Sequence, residues 1–199
     1  MRVEIREEPL SHLAEHARIS IAFEVDRVFD VTEPHGVPDR FELVERRLAA
    51  PYLKDYDAIA GNHPTDWARQ FDLSNWGLLS ARVEGVCVGG ALIAFKTSGF
   101  PVLEDRSDLA VLWDLRVSPE MRGRGVASAL FAAAEQWARH RGCRRLKVET
   151  QNVNVAACKF YASQGCRLVE VRRFAYPDFP EEIQFFWQKE LPADVQPAM

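Results

Sequence analysis

The sequence predicts an α/β or α+β domain in which strands and helices surround one apolar core. Of the 199 residues, 47% are hydrophobic and 27% are charged, values that are ordinary for a globular protein and that exclude a disordered or collagen-like chain. The longest apolar stretch, residues 86–95, is shorter than the roughly 18 residues of a membrane span and contains two glycines. We therefore expect a single domain over residues 1–191 and a frayed tail over residues 192–199.

In the N-terminal half, apolar residues that recur every two or every three to four positions indicate short elements. In chain order these are a strand over residues 3–6, a short helix over 10–17, an extended segment over 19–25, a short helix over 62–70 and two strands over 77–82 and 86–96. The last two strands are expected to form a hairpin, because Glu84-Gly85 supplies a turn between them. Residues 33–57, which contain His35-Gly36 and Pro38, are expected to be irregular.

The C-terminal half alternates strands with helices. The predicted elements are a strand over residues 109–117, a helix after residue 125, a strand over 146–150, a helix from 154 through 161 and strands over 168–174 and 183–191. The first of these helices is rich in alanine, and Gly142 stands where a C-terminal cap is expected. Asn154 is a suitable N-cap for the second helix, which Gly165 would end.

Charge is distributed unevenly along the chain. Residues 1–110 carry 12 basic and 19 acidic side chains, net −7, whereas residues 111–199 carry 13 and 10, net +3. The basic part suits an anion and the acidic part a cation, although two ordinary solvated faces would give the same counts. With a pI near 5.8 and no interleaved aromatic residues, the chain lacks the electrostatic pattern of a nucleic-acid-binding protein, so no such partner is expected.

The N-terminus and the cysteines bear on the cellular compartment. The first ten residues include charges where a secretory signal needs an apolar segment, so we expect a cytoplasmic protein without a membrane partner. The cysteines show no CxxC spacing and are expected to be reduced, buried thiols. They are Cys87, Cys143, Cys158 and Cys166. No metal site is expected, and a homodimer is an open possibility.

The segment most suited to chemistry joins the strand over 109–117 to the following helix. Its sequence runs Arg122-Gly123-Arg124-Gly125-Val126-Ala127. A glycine-rich turn lets backbone N–H groups converge on one ligand, and the helix N-terminus adds about half a unit of positive charge, so a pyrophosphate would fit. A purely structural turn is the alternative. The GxxxxGK[ST] loop is absent, and Ser128 takes the third glycine position of GxGxxG, which disfavours a dinucleotide-binding oxidoreductase.

These residues fit the pattern [Q/R]xxGx[G/A], with Arg122, Gly125 and Ala127 in its defined places, and Asn154, Phe160-Tyr161 and Gly165 follow at a suitable distance. In this the chain resembles the GNAT superfamily of N-acetyltransferases. The resemblance implies the GNAT fold, a mixed and mostly antiparallel sheet of six or seven strands with helices on both faces, and acetyl-CoA as co-substrate. The cofactor-binding residues that it implies are Leu115, Arg116, Val117, Arg122, Gly123, Arg124, Gly125, Val126, Ala127, Ser128, Asn154 and Tyr161. Cys166 departs from the family, which usually has Phe there.

Longer stretches are similar to the streptothricin acetyltransferases within this superfamily, most specifically the run ETQNVNVAAC over residues 149–158. This resemblance implies a cationic small molecule as acceptor, through a primary amine such as the β-lysine amine of streptothricin. Two places depart from it: Trp113 stands where a Glu is usual, and residues 97–105 match poorly. A protein N-terminus or lysine as acceptor, and a non-catalytic acyl-CoA-binding module, are the alternatives.

Acetyl transfer to an amine requires a base, because the ammonium form of an amine with a pKa of about 10.4 costs about 4.6 kcal/mol to deprotonate at pH 7. Glu149, at the end of its strand, matches a catalytic glutamate of some relatives, and Asp114 is the competing candidate. The resemblance gives Tyr161 the role of proton donor to the departing thiolate. The acidic residues expected to bind a cationic acceptor are Glu24, Asp26, Asp55 and Asp57, each of which would otherwise be ordinary surface.

Overall fold

The computed structural model describes residues 2–32 and 41–192. In these ranges the strands are β1 (Glu4–Glu8), β2 (Phe23–Thr32), β3 (Glu42–Lys54), β4 (Gly77–Val83), β5 (Val86–Ala94), β6 (Leu109–Val117), β7 (Arg145–Gln151), β8 (Arg167–Arg172) and β9 (Gln184–Glu190). The α-helices are α1 (Leu13–His16), α2 (Trp67–Gln70), α3 (Val126–His140) and α4 (Val155–Ser163). Short 3-10 helices cover Leu10–His12, Tyr56–Ala58, Pro64–Asp66, Pro101–Leu103 and Pro119–Met121. No helix in the described ranges has the length and apolar character to cross a bilayer.

The chain divides into two compact units. The first contains residues 2–21, 55–146 and 190–192, and the second contains residues 22–32, 41–54 and 147–189. The extent of a single domain to residue 191 stays a prediction, and residues 193–199 of the predicted tail lie outside the described residues.

In the first unit, four strands lie in the order β1-β4-β5-β6, each antiparallel to its neighbour. The β4–β5 hairpin is confirmed, and its turn residues Glu84 and Gly85 both have positive φ, 51° and 83°, as a two-residue hairpin turn requires. The strand over 109–117 is confirmed with its predicted bounds.

Helices cover both faces of this four-stranded sheet. A Cβ built on Gly90 would lie 2.3 Å from Nδ1 of His16 on α1, whereas one built on the adjacent Gly89 would lie 3.1 Å from side-chain atoms of Leu130 and Val126 on α3. Since successive strand residues point to opposite faces, α1 and α3 pack on opposite sides. The two glycines allow this close approach.

The predicted long helix is confirmed as α3. Its apolar stripe is buried, with Val126, Leu130, Ala134 and Trp137 each at most 4% exposed. Gly142, with φ of 80°, follows the helix in the left-handed conformation that ends many helices. Burial of such side chains contributes roughly 1.5–3 kcal/mol each for the larger ones, which fixes α3 against β4, β5 and β6.

An aromatic cluster fills the core of the first unit on the α1 and α2 side. The Phe100 ring centroid lies 5.0 Å from Phe71, 5.5 Å from Trp76 and 5.0 Å from Trp113, with the ring pairs edge to face. Such pairs add to the apolar burial of each ring. Trp113, which departs from the resembled subfamily, is therefore a packing residue of this cluster.

In the second unit, three strands lie in the order β7-β9-β8, and β2 and β3 form a separate antiparallel pair. Buried Val25, Val28 and Val153 form its small apolar cluster. Seven sheet strands, four in the first unit and three in the second, agree with the predicted six or seven, and the predicted fold class is confirmed.

One expectation for the N-terminal half was wrong and another is confirmed only in part. Residues 42–54 are not irregular but form the 13-residue strand β3, which pairs with β2; residues 33–40 lie outside the described residues. Most β3 side chains are exposed, so the strand lacks an apolar alternation and is specified by its partner instead. The extended segment over 19–25 becomes a strand only at Phe23, and that strand continues to Thr32.

The remaining differences concern the ends of short elements. The helix over 10–17 is a 3-10 turn followed by one turn of α-helix, and the helix over 62–70 begins only at Pro64. The cysteines are free thiols: three are buried and Cys87 is half-buried.

Candidate active site

The strand β6 carries a bulge just before Leu115, the first residue predicted to bind the cofactor. Leu92 of β5 lies opposite Asp114 and Ile93 lies opposite Leu112, so Trp113 is an extra residue in β6. A bulge bends its strand and re-aims the side chains that follow it. Beyond this bulge, Asp114 and Arg116 point towards α1 and the alternate residues Leu115 and Val117 point the other way.

The glycine-rich turn after β6 leaves backbone donors accessible at the start of α3. Gly123 and Gly125 have φ of 72° and 83°, and a Cβ built on either would meet no atom within 4 Å. Gly125 is the N-cap of α3. Because glycine has no side chain, the first backbone N–H groups of this 15-residue helix receive no side-chain hydrogen bond from the N-cap residue. This open, glycine-lined helix start fits a diphosphate.

Arg122 shapes this turn through its side chain. Its Nε donates to the carbonyl oxygen of Val117 at 3.1 Å, and its Nη2 donates to the carbonyl oxygen of Ser20 at 3.1 Å. The guanidinium thus ties the turn back to the end of β6. The side chains of Arg124 and Ser128 are exposed, and Ala127 is half-buried in the first turn of α3.

Asp114 and Arg116 form the centre of a buried ionic network in the first unit. Arg116 donates to Asp114 from Nε and Nη2 at 2.9 and 2.8 Å, and to both oxygens of Asp57 at 2.7 and 2.8 Å. His16 Nε2 donates to Asp114 at 3.1 Å, while its buried Nδ1 has no hydrogen-bond partner among the described residues. The guanidinium of Arg116 is 1% exposed, so what it can offer a cofactor is its main chain.

This network determines the ionisation of Asp114. Burial by itself would raise the pKa of this carboxyl, but hydrogen bonds and charges from His16 and Arg116 outweigh burial and lower the pKa to about 2. Burial likewise lowers the pKa of Arg116, and its contacts with Asp57 and Asp114 raise the pKa by more. An ionised carboxylate with these partners is a weak base, which disfavours Asp114 as the general base.

Glu149 has a different environment on β7 of the second unit. Its Oε1 accepts a hydrogen bond of 2.6 Å from the Oη of Tyr176 and a longer one of 3.4 Å from Nε2 of Gln151. The side chain is half-buried and pairs with no arginine or lysine at salt-bridge distance among the described residues. It therefore retains the accessibility that a general base needs, and Asp114 does not.

Asn154 precedes α4 as its N-cap, and Tyr161 lies in its last turn. The predicted N-cap is confirmed, because Asn154 Oδ1 accepts from the backbone N–H of Ala157 at 3.1 Å. Tyr161 is buried at 6% exposure, and its ring meets Phe160 edge to face with 5.1 Å between centroids. Gly165, with φ of 82°, follows the helix as predicted.

The four acidic residues expected to bind the acceptor have unequal surroundings. Asp26 is paired with Arg27, and Asp57 with Arg116, each through both carboxylate oxygens. Asp55 accepts from the backbone N–H of Asp57 and caps a short 3-10 helix. Glu24 is exposed on β2. Acceptor binding by these residues stays a prediction.

Sequence reasoning missed three polar residues around the candidate base and the buried network: Tyr176, Gln151 and His16. Tyr176 lies in the irregular segment between β8 and β9, where no period marks it. His16 looks like an ordinary surface residue of a short helix. Only Gly90, against which His16 packs, hints at a close neighbour.

Comparisons with known proteins now give the family. The acetyltransferase (GNAT) family matches residues 41–166. A streptothricin acetyltransferase of Escherichia coli is 30% identical over 168 residues, which cover 83% of this chain and 83% of the relative. Streptothricin acetyltransferase A of Bacillus subtilis (strain 168) is 29% identical over 145 residues, covering 72% of this chain and 76% of the relative.

The fold is shared with the crystal structure of a protein from Bacillus anthracis str. Ames, which was solved in complex with acetyl coenzyme A. It has a TM-score of 0.74 and 23% identity, and the match covers 95% of this chain and 99% of the other. The glycine turn here follows β6 rather than the first strand, which further disfavours the dinucleotide-binding alternative. The family match over residues 41–166, more than half of the chain, places this protein in the acetyltransferase (GNAT) family, and the protein is an N-acetyltransferase.

Proposed function

We propose that this enzyme transfers the acetyl group of acetyl-CoA to a primary amine of a cationic small molecule such as streptothricin. The observation that carries the proposal is the open helix start after Gly123 and Gly125, which is suited to the diphosphate of the co-substrate. The names of the two relatives, each at about 30% identity, support streptothricin as the acceptor.

Acetyl-CoA supplies an activated acetyl thioester. The main chain of Leu115, Arg116 and Val117 would hydrogen-bond to its pantetheine arm, and a main-chain N–H near Val117 would stabilise the negative charge that develops on the carbonyl oxygen. The turn over Arg122–Ser128 would hold the diphosphate through its backbone N–H groups. Asn154 would contribute a further polar contact from the start of α4.

Glu149 acts as the general base in this proposal. It removes a proton from the ammonium group of the acceptor, directly or through a water, which releases the lone pair at a cost of about 4.6 kcal/mol at pH 7 for an amine of pKa about 10.4. The nitrogen then forms a bond with the acetyl carbon as the carbon–sulfur bond breaks. Tyr161 gives its phenolic proton to the thiolate, and the second amine proton leaves as the amide forms, so one proton per turnover is released.

A panel of amines tests the function. We expect free thiol to appear with acetyl-CoA and streptothricin, and more slowly with peptides that present an N-terminal or lysine amine. Tyr161→Phe should lower turnover by at least tenfold with little change in acetyl-CoA affinity. Thiol release with the peptides alone would favour a protein acceptor, and acetyl-CoA binding without thiol release from any amine would favour a non-catalytic acyl-CoA-binding module.

A further inference from the structure

The segment between β8 and β9, residues 173–183, belongs to the second unit and contacts the rest of it at several places, among them Arg173 Nη2 with the carbonyl oxygen of Val31 at 2.9 Å and Ile183 N with Oδ1 of Asn152 at 2.8 Å. Near its start, Tyr176 donates to Glu149 on β7 at 2.6 Å. Near its end, Glu182 forms a buried ion pair with Lys54, the last residue of β3, whose Nζ also lies 3.6 Å from the centroid of the Phe179 ring. The segment has no helix or strand of its own, so these contacts determine its course.

Hydrogen bonding to Glu149 is asymmetric. In the described part of the chain, the side-chain donors to this carboxylate, Tyr176 and Gln151, both approach Oε1. Gln151 Nε2 also donates to the Oη of Tyr176 at 2.9 Å, so the three side chains form a closed triangle. A carboxylate with one oxygen held in this way presents its other oxygen, Oε2, as the atom that can accept a proton.

We infer that Tyr176 is a positioning residue for acetyl transfer, which holds Oε1 of Glu149 so that Oε2 takes the proton of the acceptor amine. The inference rests on the proposed function, in which Glu149 is the base. A base must lie within hydrogen-bond reach of its proton, and a displacement of about 1 Å can cost about 100-fold in rate. Gln151 supports the same arrangement from the strand that carries Glu149.

The charges around Glu149 are consistent with this role. Burial raises the pKa of the Tyr176 phenol, and the charge of Glu149 raises it further, so Tyr176 stays a neutral donor throughout the assay range. On β7, Lys147 lies two residues before Glu149, with its Nζ 5.1 Å from the ring centroid of Phe186 on β9. Within residues 2–32 and 41–192, Tyr176 is the titratable group that hydrogen-bonds to Glu149.

The test is the kinetics of Tyr176→Phe, measured by thiol release with acetyl-CoA and streptothricin. We expect kcat to fall about 10- to 100-fold with KM for acetyl-CoA unchanged, because the base is displaced from its proton while the cofactor contacts remain. Tyr52→Phe is the matched control, because Tyr52 lies exposed on β3, and its kcat and KM should equal those of the wild type.

A second variant distinguishes the loss of positioning from a folding defect in Tyr176→Phe. Gln151→Leu removes the donor that holds both partners while leaving Tyr176 in place, and we expect a smaller fall in kcat, again with KM for acetyl-CoA unchanged. If both variants keep the wild-type kcat, Tyr176 does not position the base and the inference is overturned. If the wild type itself acetylates no amine in the panel, the proposed function fails instead, so the two failures are distinguishable.

Discussion

Replacement of Asp114 by Asn tests whether the buried network stabilises the fold of the first unit. The carboxylate accepts four hydrogen bonds of 3.1 Å or less from Arg116 and His16, and it is 4% exposed. Its pKa of about 2, against 3.8 for the free side chain, corresponds to about 2.4 kcal/mol of stability at pH 7. Loss of one partner from a buried pair typically costs about 3–5 kcal/mol. We therefore expect Asp114→Asn to lower the free energy of unfolding by about 2–4 kcal/mol at pH 7.

The same network predicts the pH dependence of stability. Because the pKa of Asp114 is lower in the folded than in the unfolded state, its contribution is fully present above about pH 5 and is lost as the pH falls towards 2. From these two values, about 1.3 kcal/mol remains at pH 3. The difference in unfolding free energy between wild type and Asp114→Asn should therefore shrink by about 1 kcal/mol between pH 7 and pH 3.

Urea denaturation followed by tryptophan fluorescence at pH 7 and pH 3 measures both quantities. Asp108→Asn is the matched control, since Asp108 and Arg106 form a two-oxygen pair of 2.9 Å contacts, also two residues apart, but with both side chains about one-third exposed. That variant should cost less than about 1 kcal/mol. Equal effects of the two substitutions, or a difference that does not change with pH, would refute the reasoning from burial.

Three further outcomes follow from local geometry, each measured by urea denaturation. Gly90→Ala should destabilise the fold by about 1–3 kcal/mol, because its Cβ would lie 2.3 Å from Nδ1 of His16; an unchanged midpoint would contradict this packing. Asn154→Ala should cost about 1 kcal/mol through loss of the α4 cap, and Asn154→Ser should recover most of it. Glu182→Gln should cost about 3–5 kcal/mol because it leaves the buried ammonium of Lys54 without its counter-charge, and a cost below 1 kcal/mol would disprove that dependence.

The two candidate bases illustrate why a residue type and a position are insufficient evidence of a role. Asp114 and Glu149 both lie on strands near the predicted cofactor-binding residues, and the sequence offers no means to choose between them. The structure separates them by their partners: a buried arginine and histidine for Asp114, and a neutral phenol and amide for Glu149. Only the second environment leaves one carboxylate oxygen, Oε2, without a side-chain hydrogen bond among the described residues.

Local sequence patterns were sufficient to predict much of the secondary structure of this protein. The apolar stripe of α3, the Glu84-Gly85 hairpin and the Asn154 cap each depend on residues a few positions apart, so the sequence alone predicts them. The glycine-rich turn belongs to the same class, because its backbone angles and its place before a helix are local properties.

Tertiary structure decided the features that join distant residues. Strand β3 has mostly exposed side chains and no alternation, so its pairing with β2 could not be read from its own residues. Tyr176 meets Glu149 across 27 positions and His16 meets Asp114 across 98. Because a buried polar group is defined by partners that the fold brings together rather than by its neighbours in the chain, the roles of these side chains emerge only from the folded structure.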